Sequence, residues 1–236
     1  MIPILEATGL QAGYGEAPVL RGIDLAIRPG ETIGLMGRNG MGKTTLIRAL
    51  MGQIPVRAGA VLVDGVAVTA EPPYRRARRG IAVVPEGRGI FAGLSVLENL
   101  RLAARPGADG GIPWPEERVM ALFPRLAERA RNRGDQLSGG EQQMLAIGRA
   151  LMTSPRLLIL DEATEGLAPI VRDGIWRTIA AIRGAGVATI IVDKTVEAVL
   201  SLADRVEVLV KGTVAFSGPP AALRLDPETM HRHLGV

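Results

Sequence analysis

The segment at residues 37–44 constrains the fold of this chain more than any other, because it reads GRNGMGKT. Glycines permit a tight turn whose backbone N–H groups point inward at the β- and γ-phosphates of a nucleotide. Lys43 adds a positive charge, and the hydroxyl of Thr44 is an oxygen ligand of the kind that Mg²⁺ prefers. An apolar segment at 32–36 precedes the loop and a helical pattern follows it. The sequence therefore predicts a strand, a phosphate-binding loop and a helix, in that order.

A glycine-rich turn between a strand and a helix can also occur without any ligand. Here glycines, a lysine and two threonines stand in register after an apolar strand, and this combination favours phosphate binding. We expect a nucleoside triphosphate with its Mg²⁺ at this loop, with Lys43 acting both in binding and in catalysis. The predicted contacts are Gly37, Asn39, Gly40, Gly42, Lys43, Thr44 and Thr45.

Two carboxylates follow a second apolar strand. Residues 157–160 read LLIL, which is typical of a parallel strand covered on both faces, and Asp161 and Glu162 come directly after it. Ligands collect at the carboxyl ends of strands in open α/β sheets. We expect Asp161 to hold Mg²⁺ through water and Glu162 to be the general base that orients the attacking water. The alternative, two acids that only favour a helix dipole, is the weaker interpretation beside a phosphate loop.

The wider pattern predicts an α/β fold. Asp64-Gly65 and Lys211-Gly212 stand where two-residue hairpin turns are expected, and Ser95 to Glu98 and Pro115 mark helix starts. Strands and helices alternate around a mostly helical segment at about 87–150. The predicted strands are 4–10, 19–27, 32–36, 60–68, 81–84, 157–160, 187–192, 206–210 and 213–216.

Composition limits the class of protein. The chain has 236 residues, 47% of them apolar and 22% charged, so we expect a folded protein with a proper core. It has no cysteine, which excludes disulfides and thiolate sites. No apolar run approaches the roughly 18–20 residues that cross a bilayer, and the first ten residues carry no signal-peptide pattern. A net charge of +4 suits a protein that handles a polyanionic nucleotide or one that lies near anionic lipid.

Residues 137–141 read LSGGE, and this motif narrows the function. Ser138 and Glu141 fit a capping box, so the simple interpretation is an ordinary helix start. The two intervening glycines, Gly139 and Gly140, would also let another body approach the helix N-terminus, which is a ready anion site. One geometry serves both interpretations.

Together with the phosphate loop and Asp161-Glu162, the LSGGE motif resembles the nucleotide-binding domains of ABC (ATP-binding cassette) transporters along nearly the whole chain. The resemblance implies a P-loop NTPase core with a mostly parallel sheet and an antiparallel β edge, and an inserted helical subdomain. It places the core lobe at 1–86 and 151–236 and the helical subdomain at 87–150, within one ABC ATPase domain. It also implies ATP and Mg²⁺, and a second ATPase subunit whose bound ATP meets Ser138, Gly139, Gly140 and Glu141. Tyr14 resembles the aromatic residue that stacks on adenine, with an ordinary turn tyrosine as the alternative.

Three further segments are similar to the second ATP-binding subunit of importers for branched-chain amino acids, and for urea or amides. These are 84–88 (VPEGR), 166–170 (GLAPI) and 233–236 (HLGV). In that family a glutamate occupies the Q-loop position, here Glu86, which implies contact with the nucleotide and its Mg²⁺. The resemblance implies transmembrane permease partners, an indirect link to a periplasmic binding protein, and a cytoplasmic position on the inner face of the membrane.

The chain departs from the family at several positions. ABC ATPases usually place a histidine after the strand that follows Asp161-Glu162, whereas Lys194 stands at the matching position here. We expect Lys194 to donate to phosphate without acting as an imidazole. Lys194, together with Ala163 and Glu165, leaves a second function open. In this alternative the chain is a catalytically weak, regulatory partner in a heterodimer.

Other functions explain less of the sequence. ABC ATPases that act on DNA or ribosomes carry long coiled coils or two cassettes, and a P-loop kinase leaves LSGGE without a purpose. Aromatic residues make up only 3% of the chain, so nucleic acid is not an expected partner. We expect two arginine runs to be solvated helix faces and two tail histidines to be exposed without binding metal. These residues are Arg75, Arg76, Arg78 and Arg79; Arg125, Arg129, Arg131 and Arg133; and His231 and His233.

Overall fold

The computed structural model describes residues 2–108 and 111–235. They form two compact units, one made of the residues up to Arg79 and from Ala188 onward, the other of Gly80–Val187. The strands are β1 (Leu5–Tyr14), β2 (Ala17–Ile27), β3 (Thr32–Met36), β4 (Val56–Val63), β5 (Val66–Ala67), β6 (Ile81–Val84), β7 (Leu157–Asp161), β8 (Ala188–Val192), β9 (Arg205–Val210) and β10 (Thr213–Gly218). The helices are α1 (Lys43–Leu50), α2 (Pro73–Arg78), α3 (Val96–Ala103), α4 (Glu116–Leu122), α5 (Pro124–Glu128), α6 (Gly139–Leu151), α7 (Pro169–Gly184), α8 (Val196–Leu202), α9 (Pro220–Arg224) and α10 (Pro227–Thr229).

The first unit contains two groups of paired strands. One is an antiparallel sheet in the order β2-β1-β4-β5. In the other, β3 pairs in parallel with both β8 and β9, and β9 continues into β10 through an antiparallel hairpin. Both predicted hairpin turns are present, with left-handed backbone at Asp64 (φ 52°) and Lys211 (φ 48°) and at the glycine that follows each. The predicted combination of parallel strands and an antiparallel edge is therefore confirmed.

The second unit contains the parallel pair β6 and β7 and the helices α3–α7. The register runs from Ile81 opposite Leu157 to Val84 opposite Leu160, and every residue of β7 is buried. Ser95 caps α3 with the predicted capping box. Parallel pairing brings the carboxyl ends of β6 and β7 to the same edge, and this sets the position of the acidic residues that follow each strand.

The first strand is longer than the sequence predicted. The short β-type pattern in the sequence ends at residue 10. Instead β1 continues to Tyr14, and its register shifts between Ala7 and Leu10 and again after Leu10 and Ala12. Such bulges absorb extra residues without ending a strand, and a sequence pattern does not reveal them.

The prediction of a solvated arginine face was wrong for Arg76, whose exposure is 1%. Its guanidinium donates to the carbonyl oxygens of Ala49 (2.9 Å) and Leu50 (2.6 Å) at the C-terminal end of α1. It also donates to the carbonyls of Thr69 and Glu71. Arg76 thus satisfies helix-end carbonyls that have no partner within the helix.

The other residues of the two runs differ in exposure. Arg75, Arg78 and all four arginines of the second run are exposed as predicted. Arg79 is half-buried and forms an ion pair of 2.6 Å with Glu71. His231 is exposed, but His233 is half-buried, contrary to the prediction.

Over residues 2–108 and 111–235, no helix is both long and apolar enough to cross a bilayer. The compact units change over at 79/80 and 187/188, not at the predicted lobe boundaries of 86/87 and 150/151. The difference arises because β6, β7 and α7 belong to the same compact unit as the helical segment. The two-lobe division by motif stays a prediction.

Candidate functional site

The predicted phosphate loop has the backbone that a phosphate cradle requires. It leaves the buried strand β3 at Gly37, where φ is 136° and an added Cβ would lie 2.4 Å from the carbonyl oxygen of Leu209. Gly42 (φ 105°) is the N-cap of α1, and it offers no side-chain cap to the helix. The first turn of α1 also contains no acidic residue. Neither the N-cap residue nor the first turn of α1 therefore supplies an acceptor to this positive helix end, which fits an anionic phosphate group.

Lys43 lies back over the loop that it follows. Its Nζ donates to the carbonyl oxygens of Gly37 (2.7 Å) and Arg38 (3.1 Å). These bonds hold the ammonium group at the loop, where the sequence placed a phosphate partner. Of the other predicted contacts, Asn39 and Gly40 are exposed, Gly42 and Thr45 are buried, and Thr44 is half-buried.

Tyr14, the predicted adenine contact, is the last residue of β1 and is 45% exposed. Its hydroxyl accepts a hydrogen bond of 2.9 Å from Nη1 of Arg48, on α1. The tyrosine is thereby tied to the helix that begins at the phosphate loop, while nearly half of its surface stays open to a ligand. Stacking on adenine stays a prediction.

Lys194 follows β8 in the same unit as the phosphate loop. Because β3 and β8 are parallel, with Gly34 opposite Ile191, the residues after both strands lie at the same edge of the sheet. Lys194 is exposed, and the preceding Asp193 accepts a bond of 2.9 Å from the backbone N–H of Thr195. The structure thus places Lys194 at the edge where the phosphate loop begins.

The second unit gathers carboxylates at the ends of β6 and β7. Asp161 ends β7 and is 3% exposed, and Glu162 follows it with left-handed backbone (φ 53°). Carboxylate oxygens of Glu86, Glu162 and Glu165 all lie within 4.8 Å of one another. Carboxylates are ligands that suit Mg²⁺, so the residues at this edge fit the predicted metal chemistry. Sequence reasoning placed Glu86, Asp161 and Glu162 at a metal or nucleotide site but did not place Glu165 beside them.

The LSGGE motif begins helix α6 with the predicted capping box. The Ser138 hydroxyl accepts from the N–H of Glu141 (3.3 Å), and the Glu141 carboxylate accepts from the N–H of Ser138 (2.8 Å). Burial acts to raise the pKa of Glu141, but these bonds and the charges of Arg129 and Arg125 together hold the pKa below its ordinary value. The Glu141 carboxylate therefore serves as a hydrogen-bond acceptor at the start of α6.

Internal packing explains one of the two signature glycines. A Cβ at Gly140 would lie 2.4 Å from Cγ1 of Val171 in the first turn of α7. A Cβ at Gly139 would meet only the end of a flexible side chain, Nη2 of Arg88, at 2.9 Å. Packing alone therefore explains the glycine at position 140, and this glycine does not indicate that a ligand approaches the helix. Packing does not explain Gly139 in this way, so Ser138 and Gly139 still favour an approaching ligand.

Arg88 is a residue at this motif that sequence reasoning missed. Its backbone is left-handed (φ 70°), and its Nη1 donates to Oε1 of Gln142 at 2.8 Å. The Gln142 amide donates in turn to the carbonyl of Gly134, just before the motif, and to the carbonyl of Leu137, its first residue. Arg88 was quoted within the VPEGR segment, but its contact with residues some fifty positions away has no local signal.

Comparison with known proteins gives one family match, two similar proteins and one similar structure. Residues 20–165 match the family described as ABC transporter. The chain is 40% identical over 222 residues to the high-affinity branched-chain amino acid transport ATP-binding protein BraG of Pseudomonas aeruginosa, covering 94% of this chain and 95% of BraG. It is 33% identical over 233 residues to the lipopolysaccharide export system ATP-binding protein LptB of Escherichia coli, covering 98% and 97%. The crystal structure of an ATP-binding cassette in its ADP conformation shares the fold, with a TM-score of 0.82 over 98% of both chains at 24% identity.

Proposed function

Because this chain belongs to the ABC transporter family of ATP-binding, ATP-hydrolysing transport ATPases, we propose that it powers import of branched-chain or other hydrophobic amino acids, or related small solutes. The observation that carries the cargo class is the 40% identity with BraG over nearly the full length of both proteins. We place the chain in the cytoplasm, on the inner face of the membrane, beside permease subunits that carry the solute. A periplasmic binding protein would deliver the solute to those permeases.

In the first unit, the chain's own residues bind and orient the triphosphate. Backbone N–H groups of residues 37–42 and the N-terminus of α1 face the phosphates, and Lys43 exchanges its loop carbonyls for phosphate oxygens. The Thr44 hydroxyl offers a metal ligand, and Tyr14 offers an exposed ring to adenine. Bound Mg²⁺ would supply charge neutralisation at the β- and γ-phosphates.

In the second unit, Glu162 holds the role of proton acceptor. It orients a water for attack on the γ-phosphate and takes its proton as the bond to the leaving ADP breaks. We assign Asp161 to Mg²⁺ through water, and Glu86 as a further ligand of that ion. Ser138 and Gly139 would meet the γ-phosphate of ATP bound to a second ATPase subunit, which makes the working unit a dimer.

Two other functions have observations in their favour. The similarity to LptB extends over 98% of this chain, so an export system is the competing assignment for the cargo. Lys194 in place of the usual histidine, and Glu165 beside Glu162, favour a weakly hydrolysing regulatory partner. The retained Glu162 argues against the regulatory assignment, because it keeps the proton acceptor for hydrolysis.

The proposed ATPase activity is tested by steady-state hydrolysis of Mg-ATP by the purified chain. Because each site needs residues from two subunits, we expect the rate to rise more than linearly with protein concentration. A linear rise would contradict sites shared between copies of this chain, and no activity would favour the regulatory role. Crosslinking in cells tests transport, since absence of any membrane partner would contradict it.

Replacing Lys194 with alanine tests whether this lysine supplies the missing donor. We expect turnover to fall by about 10²–10³, the usual cost of removing one transition-state donor. The exposed Arg177 on α7 offers a control, since Arg177→Ala removes one positive charge from another surface. An unchanged rate in Lys194→Ala would show that the enzyme hydrolyses ATP without a donor at this position.

A further inference from the structure

A cavity of about 820 Å³ lies within the first unit, on surfaces that the proposed ATPase function does not use. Residues of β1 and β2 form one side, and residues of β9 and β10 form the other. Part of the lining is apolar, including Ala26 and Val214, which are both half-buried. The size falls within the range of small-molecule sites, about 300–1,000 Å³.

One wall of this cavity contains a buried carboxylate with an unused oxygen. Glu207 is 2% exposed, and its Oε1 accepts from Nη1 of Arg205 and from the Ser217 hydroxyl (2.9 Å). Its Oε2 is buried and has no hydrogen-bond partner within the described residues. Burial raises the pKa of Glu207, while Ser217 and Arg205 act to lower it. An oxygen of this kind is costly to leave unpaired, so the site favours a ligand that brings a hydrogen-bond donor.

The net charge of the cavity lining indicates the sign of the charge that the ligand carries. Four carboxylates line the cavity, those of Glu6, Asp24, Glu31 and Glu207, against the guanidinium groups of Arg28 and Arg205. Arg205 is already engaged, because it also donates to Glu31 at 3.0 Å. The excess of two carboxylates therefore favours a cation.

The spacing of the carboxylates selects the shape of the cation. In the part of the chain that the structure describes, one set of three metal-ligating side chains has its ligand atoms within 4.8 Å of one another. This set is Glu86, Glu162 and Glu165, and none of these residues lines the cavity. The carboxylates here are too spread out to surround one metal ion together. Several charges separated by apolar spacers match them better, since Ala26 and Val214 lie among the carboxylates that line the two sides of the cavity.

We propose that this cavity binds a linear organic amine of the polyamine class, with one ammonium group donating to Glu207 and another near Glu6. The methylene chain then lies along Ala26 and Val214. The proposal is independent of the ATPase assignment, since none of these residues belongs to the predicted nucleotide site.

Titration calorimetry with spermidine on the nucleotide-free full-length chain tests the site. At about 0.15 M salt, weak attraction to scattered surface charges is largely screened. We expect one saturable site, and we expect Glu6→Gln and Glu207→Gln each to weaken binding about tenfold by removing one charge partner. The side chain of Glu6 forms no hydrogen bond or ion pair with the rest of the described chain, so Glu6→Gln tests the site even if Glu207→Gln does not fold.

Glu228→Gln is the matched control, because it removes a carboxylate that is 81% exposed in the C-terminal segment. Unchanged binding in this variant supports the cavity. Absence of saturable binding, or equal affinity in Glu6→Gln and the wild type, would overturn the proposal. Displacement of spermidine by an equal concentration of MgCl₂ would also overturn it, and would indicate a metal-ion site instead.

Discussion

Replacement of Lys43 by alanine is expected to bring ATP hydrolysis down to background. In the structure its Nζ lies over the phosphate loop, bonded to the carbonyls of Gly37 and Arg38 at 2.7 and 3.1 Å. A hydrogen bond from a charged group contributes about 1.5–3 kcal/mol, so ATP affinity should fall roughly 10- to 150-fold. The loss in turnover should be larger, because negative charge on the phosphoryl oxygens is stabilised most strongly in the transition state, at about 10²–10³ for one donor.

Affinity and rate must be measured separately for Lys43→Ala, by nucleotide titration and by hydrolysis at saturating Mg-ATP. Arg224→Ala provides the control, since it removes an exposed positive charge that pairs with Glu197 in the same unit. We expect that control to keep wild-type affinity and rate. Equal hydrolysis by Lys43→Ala and Arg224→Ala would refute the assignment of Lys43 to the phosphates.

The parts of the fold that the sequence predicted well depend on neighbouring residues. The buried strand β3, the glycine loop and α1 follow one another in the chain, so apolar runs and glycine conformations suffice to place them. The turns at Asp64-Gly65 and Lys211-Gly212 and the caps at Ser95 and Ser138 are equally local. Each is a choice of residue at a fixed offset, which a single sequence displays.

The parts that sequence reasoning missed depend on distant residues. The sequence predicted an exposed side chain for Arg76. In the structure Arg76 is buried and donates to the carbonyls at the end of α1, more than twenty residues away. Glu165 joins Glu86 only because β6 and β7 pair in parallel. Tertiary contacts decide such positions, and neither charge pattern nor periodicity carries that information.

The same limit applies to the candidate site. Residue types and spacing predicted Lys43, Asp161 and Glu162, because the chemistry of phosphate transfer restricts which side chains serve each role. Residue types and spacing did not show that Val171 leaves no room for a side chain at position 140, nor that Arg88 lies against Gly139. A motif therefore identifies the residues of a site more securely than it explains why each is present.

Replacement of Glu162 by glutamine is expected to separate ATP binding from hydrolysis. Glutamine has nearly the same shape and the same tolerance for the left-handed backbone at this position (φ 53°), so the local fold should persist. It cannot accept the proton of the attacking water, and loss of a general base lowers rates by about 10²–10⁴. ATP would then bind without being consumed, and the dimer that it joins should accumulate, visible by size-exclusion chromatography in Mg-ATP.

Glu165→Gln is the matched control for this prediction, because its carboxylate lies within 4.8 Å of those of Glu162 and Glu86. Both variants remove one charge from the same cluster, so a purely electrostatic effect would appear equally in both. If Glu162 is the base, only Glu162→Gln loses hydrolysis and traps a dimer. The opposite pattern would assign the base to Glu165. A monomeric Glu162→Gln chain in Mg-ATP would contradict closure of two identical subunits and direct the search to a different ATPase partner.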